Sequence, residues 1–235
     1  MAMQLNGKYA VGILLTFILL AAVMLYIFPV LYMMTGIKQM TAFSFSLSRI
    51  ALWFVLLVIF LYTHCVEKGH FLLKKEKNYT LAFFIKTIVG LYFICIMGGA
   101  FLGAAIQVFT EEKMSSKLFE ISSLLKNNYF LIIFTCFTAG AVEELLMRGY
   151  IQPRIEKMYN SPLSGILVSA ILFGILHSTY GTIGQVIIPF FIGVVFAIFY
   201  KLYSNIKILM ICHFMIDFIS LMMMNMLDIK HLSVL

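Results

Sequence analysis

Seven apolar stretches follow one another along this chain, each long enough to cross a bilayer, and that succession leaves room for little else. A helical span needs about 20 mostly apolar residues, with roughly 17 to 25 tolerated. The stretches run approximately from Tyr9 to Met34, Ser44 to His64, Thr80 to Phe109, Asn128 to Tyr150, Pro162 to Ser178, Ile183 to Tyr203 and Ile206 to Leu227. Hydrophobic residues make up 63% of the chain and charged residues 11%, where a soluble domain has about 45–50% and about 25%. That is too little polar surface to coat a globule in water. The fold class expected is all-α: a polytopic integral membrane bundle of about seven helices, an eighth short or re-entrant segment being the alternative. The first stretch far exceeds the ~7–15-residue core of a secretory signal and no small-residue cleavage pattern follows it, so it is expected to stay as a membrane helix.

The 17 Lys and Arg against 10 Asp and Glu give a net charge of +7. In a soluble chain this excess would point to nucleic acid; here no nucleic-acid partner is expected, because the bases fall mostly in short connections that orient a bundle. With the N-terminus inside, the inner connections hold Lys8, Lys68, Lys74, Lys75, Lys77, Arg154, Lys157, Lys201 and Lys207. The outer ones hold Lys38, Lys113, Lys117, Lys126 and Lys230, offset by Glu111, Glu112 and Glu120. The N-terminus is therefore expected in the cytoplasm. The basic loop from Cys65 to Asn78 suits anionic headgroups. The four cysteines (Cys65, Cys95, Cys136, Cys212) are widely spaced without a CxxC pair, so neither a disulfide framework nor a thiolate zinc site is indicated. Between Thr110 and Asn127, helically spaced Met114, Leu118, Ile121 and Leu125 read as an interfacial helix covering the bundle. Gly99 and Gly103 form a GxxxG that permits close helix packing.

Chemistry is sought where the bilayer makes polarity costly, since an Asp or Arg mid-helix costs about 2.5–3.5 kcal/mol on insertion scales. In AVEELLMRGYI, Glu144 and Arg148 form an i,i+4 pair, while Glu143 points about a quarter turn away. One carboxylate is thus left without its local cation, as a general base would be. The bland reading is a shared ionic staple. FGILH places Phe173 and His177 on one face, and HFMID places Asp217 one turn from His213, where a carboxylate can set an imidazole tautomer. Three separate helices thus each carry His or Glu within apolar sequence. Residues 1–127 read as N-terminal membrane helices with the interfacial segment, and 128–235 as the helices that carry these clusters, which the family resemblance given below makes the catalytic ones, one membrane domain overall. By helix rise, Glu143 and His177 lie at similar depth, whereas His213, only seven residues past Ile206, falls short unless its helix starts deeper.

There is no HExxH, GxSG or GxGD, which sets aside zincin-, rhomboid- and presenilin-like sites. The pattern that remains is EExxxR, then FxxxH, then Hxxx followed by Asp or Asn. In those residues (Glu143, Glu144, Arg148, Phe173, His177, His213, Asp217) the chain from Asn128 onward resembles the CPBP intramembrane proteases, also called the Abi or type II CAAX prenyl endopeptidase-like family. The resemblance implies an endopeptidase in which Glu143, helped by His177, activates water. His213 and position 217 would stabilise the oxyanion, and Arg148 would hold Glu144. Many relatives carry Asn at position 217; Asp217 would serve as the acid, orient His213, or join a divalent-metal site. The resemblance further implies either a divalent metal such as zinc on Glu143, His177 and His213, or a metal-free glutamate mechanism.

The expected partners are membrane lipid and a hydrophobic or membrane-anchored peptide: a leader, pheromone, bacteriocin or CAAX-type substrate. A non-proteolytic bacteriocin-immunity or scaffold protein of the same family is the alternative. A small transporter predicts two related halves, and no internal symmetry is visible. Abundant Phe, Ile, Lys and Met with one Trp and four Pro suit an AT-rich bacterial genome, hence a bacterial cell membrane. The substrate itself and the oligomeric state are not legible.

Overall fold

The computed structural model describes residues 2–36, 40–112 and 115–226. Eight helices follow in order among them: α1 (Ala2–Thr35), α2 (Ala42–Glu67), α3 (Leu81–Thr110), α4 (Ser116–Leu125), α5 (Tyr129–Tyr159), α6 (Pro162–Tyr180), α7 (Gly184–Tyr203) and α8 (Ile206–Met226). No strand occurs among the described residues, and all the helices but α4 are long and apolar enough to cross a membrane, giving seven spans. Leu227, the expected end of the last span, lies outside the described residues, as do Lys38, Lys113, Met114 and Lys230.

Local chemistry sets where the helices begin. Thr41 and Ser44 form a capping box at α2, and Thr80, Ser115, Asn128 and Ser161 each accept a hydrogen bond from a first-turn N–H of the helix that follows. Two helices are capped by distant acids. Glu112 accepts from the Ile183 and Gly184 amides at α7, and Glu76 accepts from the Ile206 amide at α8. Each satisfies donors that no hydrocarbon neighbour could.

The spans pack with α5 at the centre. Its apolar window is 72% buried, against 17–33% for the other six. One core cluster joins α1, α2, α5 and α6 through Leu20, Leu52, Ile59, Leu146 and Tyr150. A second joins α3, α7 and α8 through Leu91, Cys95, Phe196 and Leu209. The third packs Ile121 and Leu125 of α4 against Ile132 and Cys136 of α5, with Phe45 of α2. The outer face is strongly apolar, with Leu81, Met97, Phe101 and Phe130 exposed, as a surface solvated by lipid requires. Gly99 and Gly103 do admit a neighbour: an added methyl would meet the Ile188 side chain at 3.3 and 3.7 Å.

Two features of α5 differ from the sequence reading. The helix does not stop at Tyr150 but continues to Tyr159, and it does so through two π-helical runs, Ala139–Glu143 and Leu145–Ile151. Pro153 gives a reason for the second run: its ring excludes an ordinary i−4 carbonyl and it has no N–H to donate, so a wider turn upstream accommodates it. Consequently Arg154, expected in a connection, is wholly buried. Its Nε donates to both oxygens of Glu67 at 3.0 Å, its Nη1 to the Phe71 and Tyr150 carbonyls, and the Tyr150 hydroxyl donates to Glu67 at 2.7 Å. The basic loop is therefore stapled to α5, and Lys74 adds an ion pair to Glu156 at 2.9 Å. Burial pulls the Lys74 ammonium below the ordinary lysine value, against the pull of Glu156.

Candidate active site

The first π-helical run ends on Glu143, and the second begins just past Glu144. Such runs turn by i→i+5 hydrogen bonds and re-aim side chains relative to a straight α-helix. Gly140 then brings α8 into contact with this part of α5. An added Cβ would stand 2.6 Å from the Met210 carbonyl oxygen and 3.0 Å from the Phe214 amide nitrogen. Both are backbone atoms and cannot swing aside. This contact, with the shorter rise of the π-helical turns, brings His213 level with the two glutamates and removes the depth mismatch of the helix-rise arithmetic.

Glu144 and Arg148 are wholly buried. Arg148 Nη1 donates to Glu144 Oε1 at 2.8 Å, and His213 Nδ1 donates to the same oxygen at 2.9 Å. The guanidinium lies over the Phe173 ring at 4.7 Å and the Phe196 ring at 5.6 Å, so two aromatic faces hold it from α6 and α7. With Nδ1 donating to Glu144, His213 turns Nε2 toward the remaining groups: Glu143 Oε2 at 4.0 Å and Asp217 Oδ2 at 3.6 Å. The tautomer is thus set by Glu144 of another helix, not by Asp217 on its own. On α6, His177 Nδ1 donates to the Phe173 carbonyl at 2.8 Å, which leaves its Nε2 as the acceptor. The Tyr180 ring stacks on that imidazole, 6.1 Å between centroids and 15° between planes.

Glu143, His177, His213 and Asp217 line one cavity of about 310 Å³, together with Phe173 and Thr135. Glu143 Oε2 and Thr135 Oγ1 are buried there without a hydrogen-bond partner among the described residues. Glu144 and Arg148 stand behind the cavity and reach it through His213. The same space admits two groups that the sequence reading passed over, Arg49 of α2 and Tyr180. Arg49 carried a visible signal, a cation inside an apolar stretch; Tyr180 carried none, because only the turn that closes α6 brings it back over His177.

Among the described residues no group of three or more His, Cys, Asp or Glu side chains is arranged to hold a metal ion. Glu143, His177 and His213 share the cavity, but the side chains as placed do not fit a zinc coordination sphere with its ~2.0–2.2 Å nitrogen and oxygen bonds.

The contact at Gly140 can be tested by itself. Gly140→Ala is expected to push α8 off α5, costing about 1–3 kcal/mol of stability. Thermal unfolding in detergent reads the effect, and a variant as stable as the parent would contradict the packing described.

Comparison with known proteins places this arrangement. Residues 125–219 match the family model described as Rce1-like, type II CAAX prenyl endopeptidase Rce1-like. Neither a curated protein nor a solved structure matches the chain. The matched region runs through α5, α6, α7 and most of α8, and it contains every cavity residue named above except Arg49. The chain is thus a seven-span membrane protein whose residues 125–219 are similar to the type II CAAX prenyl endopeptidases.

Proposed function

We propose that the chain hydrolyses a peptide bond of a membrane-associated peptide by means of water activated at Glu143. The observation that carries this reading is the Glu143 carboxylate, whose Oε2 is buried at the wall of a shared cavity with no hydrogen-bond partner among the described residues. An acceptor left unpaired in a low-dielectric site is costly, and a water that it polarises would satisfy it. His177, with its Nδ1 proton committed to a backbone carbonyl, offers Nε2 to the same water. The attacked carbonyl oxygen would lie toward Asp217 and His213, whose Nε2 donates to it only in the imidazolium form, with both ring nitrogens protonated. Asp217 can stabilise a developing oxyanion only as the acid, since a carboxylate would repel it. Glu144 and Arg148 act as positioning residues, holding His213 through Nδ1.

In this reading the N-terminus and the basic loop face the cytoplasm, by the charge rule. No metal is required. Dialysis against a chelator is expected to leave cleavage unchanged, and loss of activity restored by zinc alone would shift the mechanism to a metal held by Glu143, His177 and His213.

The direct test compares membrane-associated and secreted small peptides, by mass spectrometry, from cells expressing the parent or Glu143→Gln at matched levels. Peptides that accumulate uncut only in the variant would support proteolysis, and their ends would identify the bond. If the variant kept full biological activity with identical peptide profiles, the chain would instead act as a non-proteolytic immunity or scaffold protein.

A further inference from the structure

The cavity holds more positive charge than the hydrolysis uses. Arg49 sits in the first third of α2, inside a span, where an Arg is retained only for a reason. Its guanidinium rests 4.8 Å over the Phe45 ring and its Nε donates to Ser48 Oγ at 3.3 Å. Among the described residues no carboxylate lies within ion-pair distance of it, so most of its five donors remain uncommitted. Arg49 lines the 310 Å³ cavity and also a smaller recess that shares Glu143, His177 and Tyr180 with it.

A second cation enters that recess from another element. Lys117 of α4 donates from Nζ to the Thr179 carbonyl at 3.3 Å and lies 5.8 Å over the Tyr180 ring. Burial pulls its ammonium below the ordinary lysine value, Glu120 opposes that, and the charge of Arg49 adds to it. Two like charges thus meet at one recess of low dielectric and repel each other, a costly arrangement unless an anion arrives between them. The acids across the cavity do not fill that role: Asp217 and Glu143 both turn toward His213 Nε2, at 3.6 and 4.0 Å, and neither comes within ion-pair distance of Arg49 or Lys117. The planar fork of Arg49 suits a carboxylate, and Lys117 adds a movable point charge.

We propose that Arg49 and Lys117 together bind a carboxylate of the substrate, so that the enzyme selects peptides carrying a negative charge close to the scissile bond. The proposal rests on the proteolytic reading above. That carboxylate is either the peptide's own C-terminus or an Asp or Glu side chain. Glu143 lines both the recess and the cavity, so a peptide anchored at Arg49 and Lys117 would lie beside the base.

The test uses the purified full chain in lipid vesicles with two pools of hydrophobic synthetic peptides. One pool ends in a free carboxylate and lacks Asp and Glu; the other ends in an amide and contains Asp or Glu at every position in turn. A matched pool with neither carboxylate is the reference. The parent is expected to cut one of the first two pools about ten- to a hundredfold more efficiently in kcat/KM than the reference, the loss of one charge-assisted contact. Which pool it cuts names the source. Arg49→Gln and Lys117→Gln are expected to erase the preference, and Arg49→Lys to restore part of it. Lys117→Gln, on a helix outside the membrane core, keeps the test valid if Arg49→Gln fails to fold. Cleavage of all three pools alike by the parent, or a preference kept in both Gln variants, overturns the carboxylate site. Cleavage of no pool by the parent beyond that by Glu143→Gln overturns instead the proteolytic reading on which it rests.

Discussion

Glu143→Gln is expected to lower the rate of cleavage by about 10²–10⁴-fold while leaving the bundle folded. The factor is that of a positioned general base. Gln keeps the length and planarity of the side chain but cannot take a proton from water. Stability should hardly change, because Glu143 Oε2 makes no hydrogen bond that the substitution could break. Its 4.0 Å separation from His213 Nε2 is likewise too long to anchor the helix. Glu144→Gln should behave differently. Glu144 Oε1 accepts from both Arg148 and His213, and its loss would leave a buried guanidinium short of its counter-charge. Comparing rate and unfolding midpoint for the two variants therefore separates the base from the residue that positions the imidazole. Equal losses of stability in both would contradict the division of labour drawn here.

The largest effect on stability is expected away from the cavity, at Glu67. Its carboxylate answers Arg154 through two bonds from Nε and accepts from Tyr150, with the Arg154 guanidinium 3.7 Å over the Tyr150 ring. Glu67→Ala leaves Arg154 buried and uncompensated, which costs about 3–5 kcal/mol. Replacing both partners, Glu67→Leu with Arg154→Met, should recover most of that loss, because a matched apolar pair carries no orphaned charge. Unfolding of the purified single and double variants in detergent measures this. A loss below about 1 kcal/mol in the single variant would mean that the loop is not held through this pair.

The two predictions mark what the amino-acid sequence discloses and what it conceals. Span number was legible because hydrocarbon thickness sets a length that apolar runs must meet, and Lys or Glu marks their ends. The i,i+4 pairing of Glu144 with Arg148 was legible for the same local reason. The π-helical runs of α5 were not, since hydrophobic periodicity over a few residues does not distinguish one turn size from another. Nor was the partner of Arg154, because Glu67 lies at the end of α2 more than eighty positions earlier, and only tertiary packing selects it. The level of His213 depended on Gly140, whose missing side chain admits the α8 backbone. Arg49 shows the reverse case, a costly cation in plain view within a span whose neighbours in the cavity come from other helices.

The central claim is that Glu143 activates water for peptide hydrolysis in this cavity. It is tested most directly by single-turnover cleavage, in vesicles containing a chelator, of the peptide that accumulates in Glu143→Gln cells. The account predicts cleavage by the parent at one bond and a rate at least about a hundredfold lower for a folded Glu143→Gln protein. A folded variant that cuts the same bond at the parent's rate would contradict it.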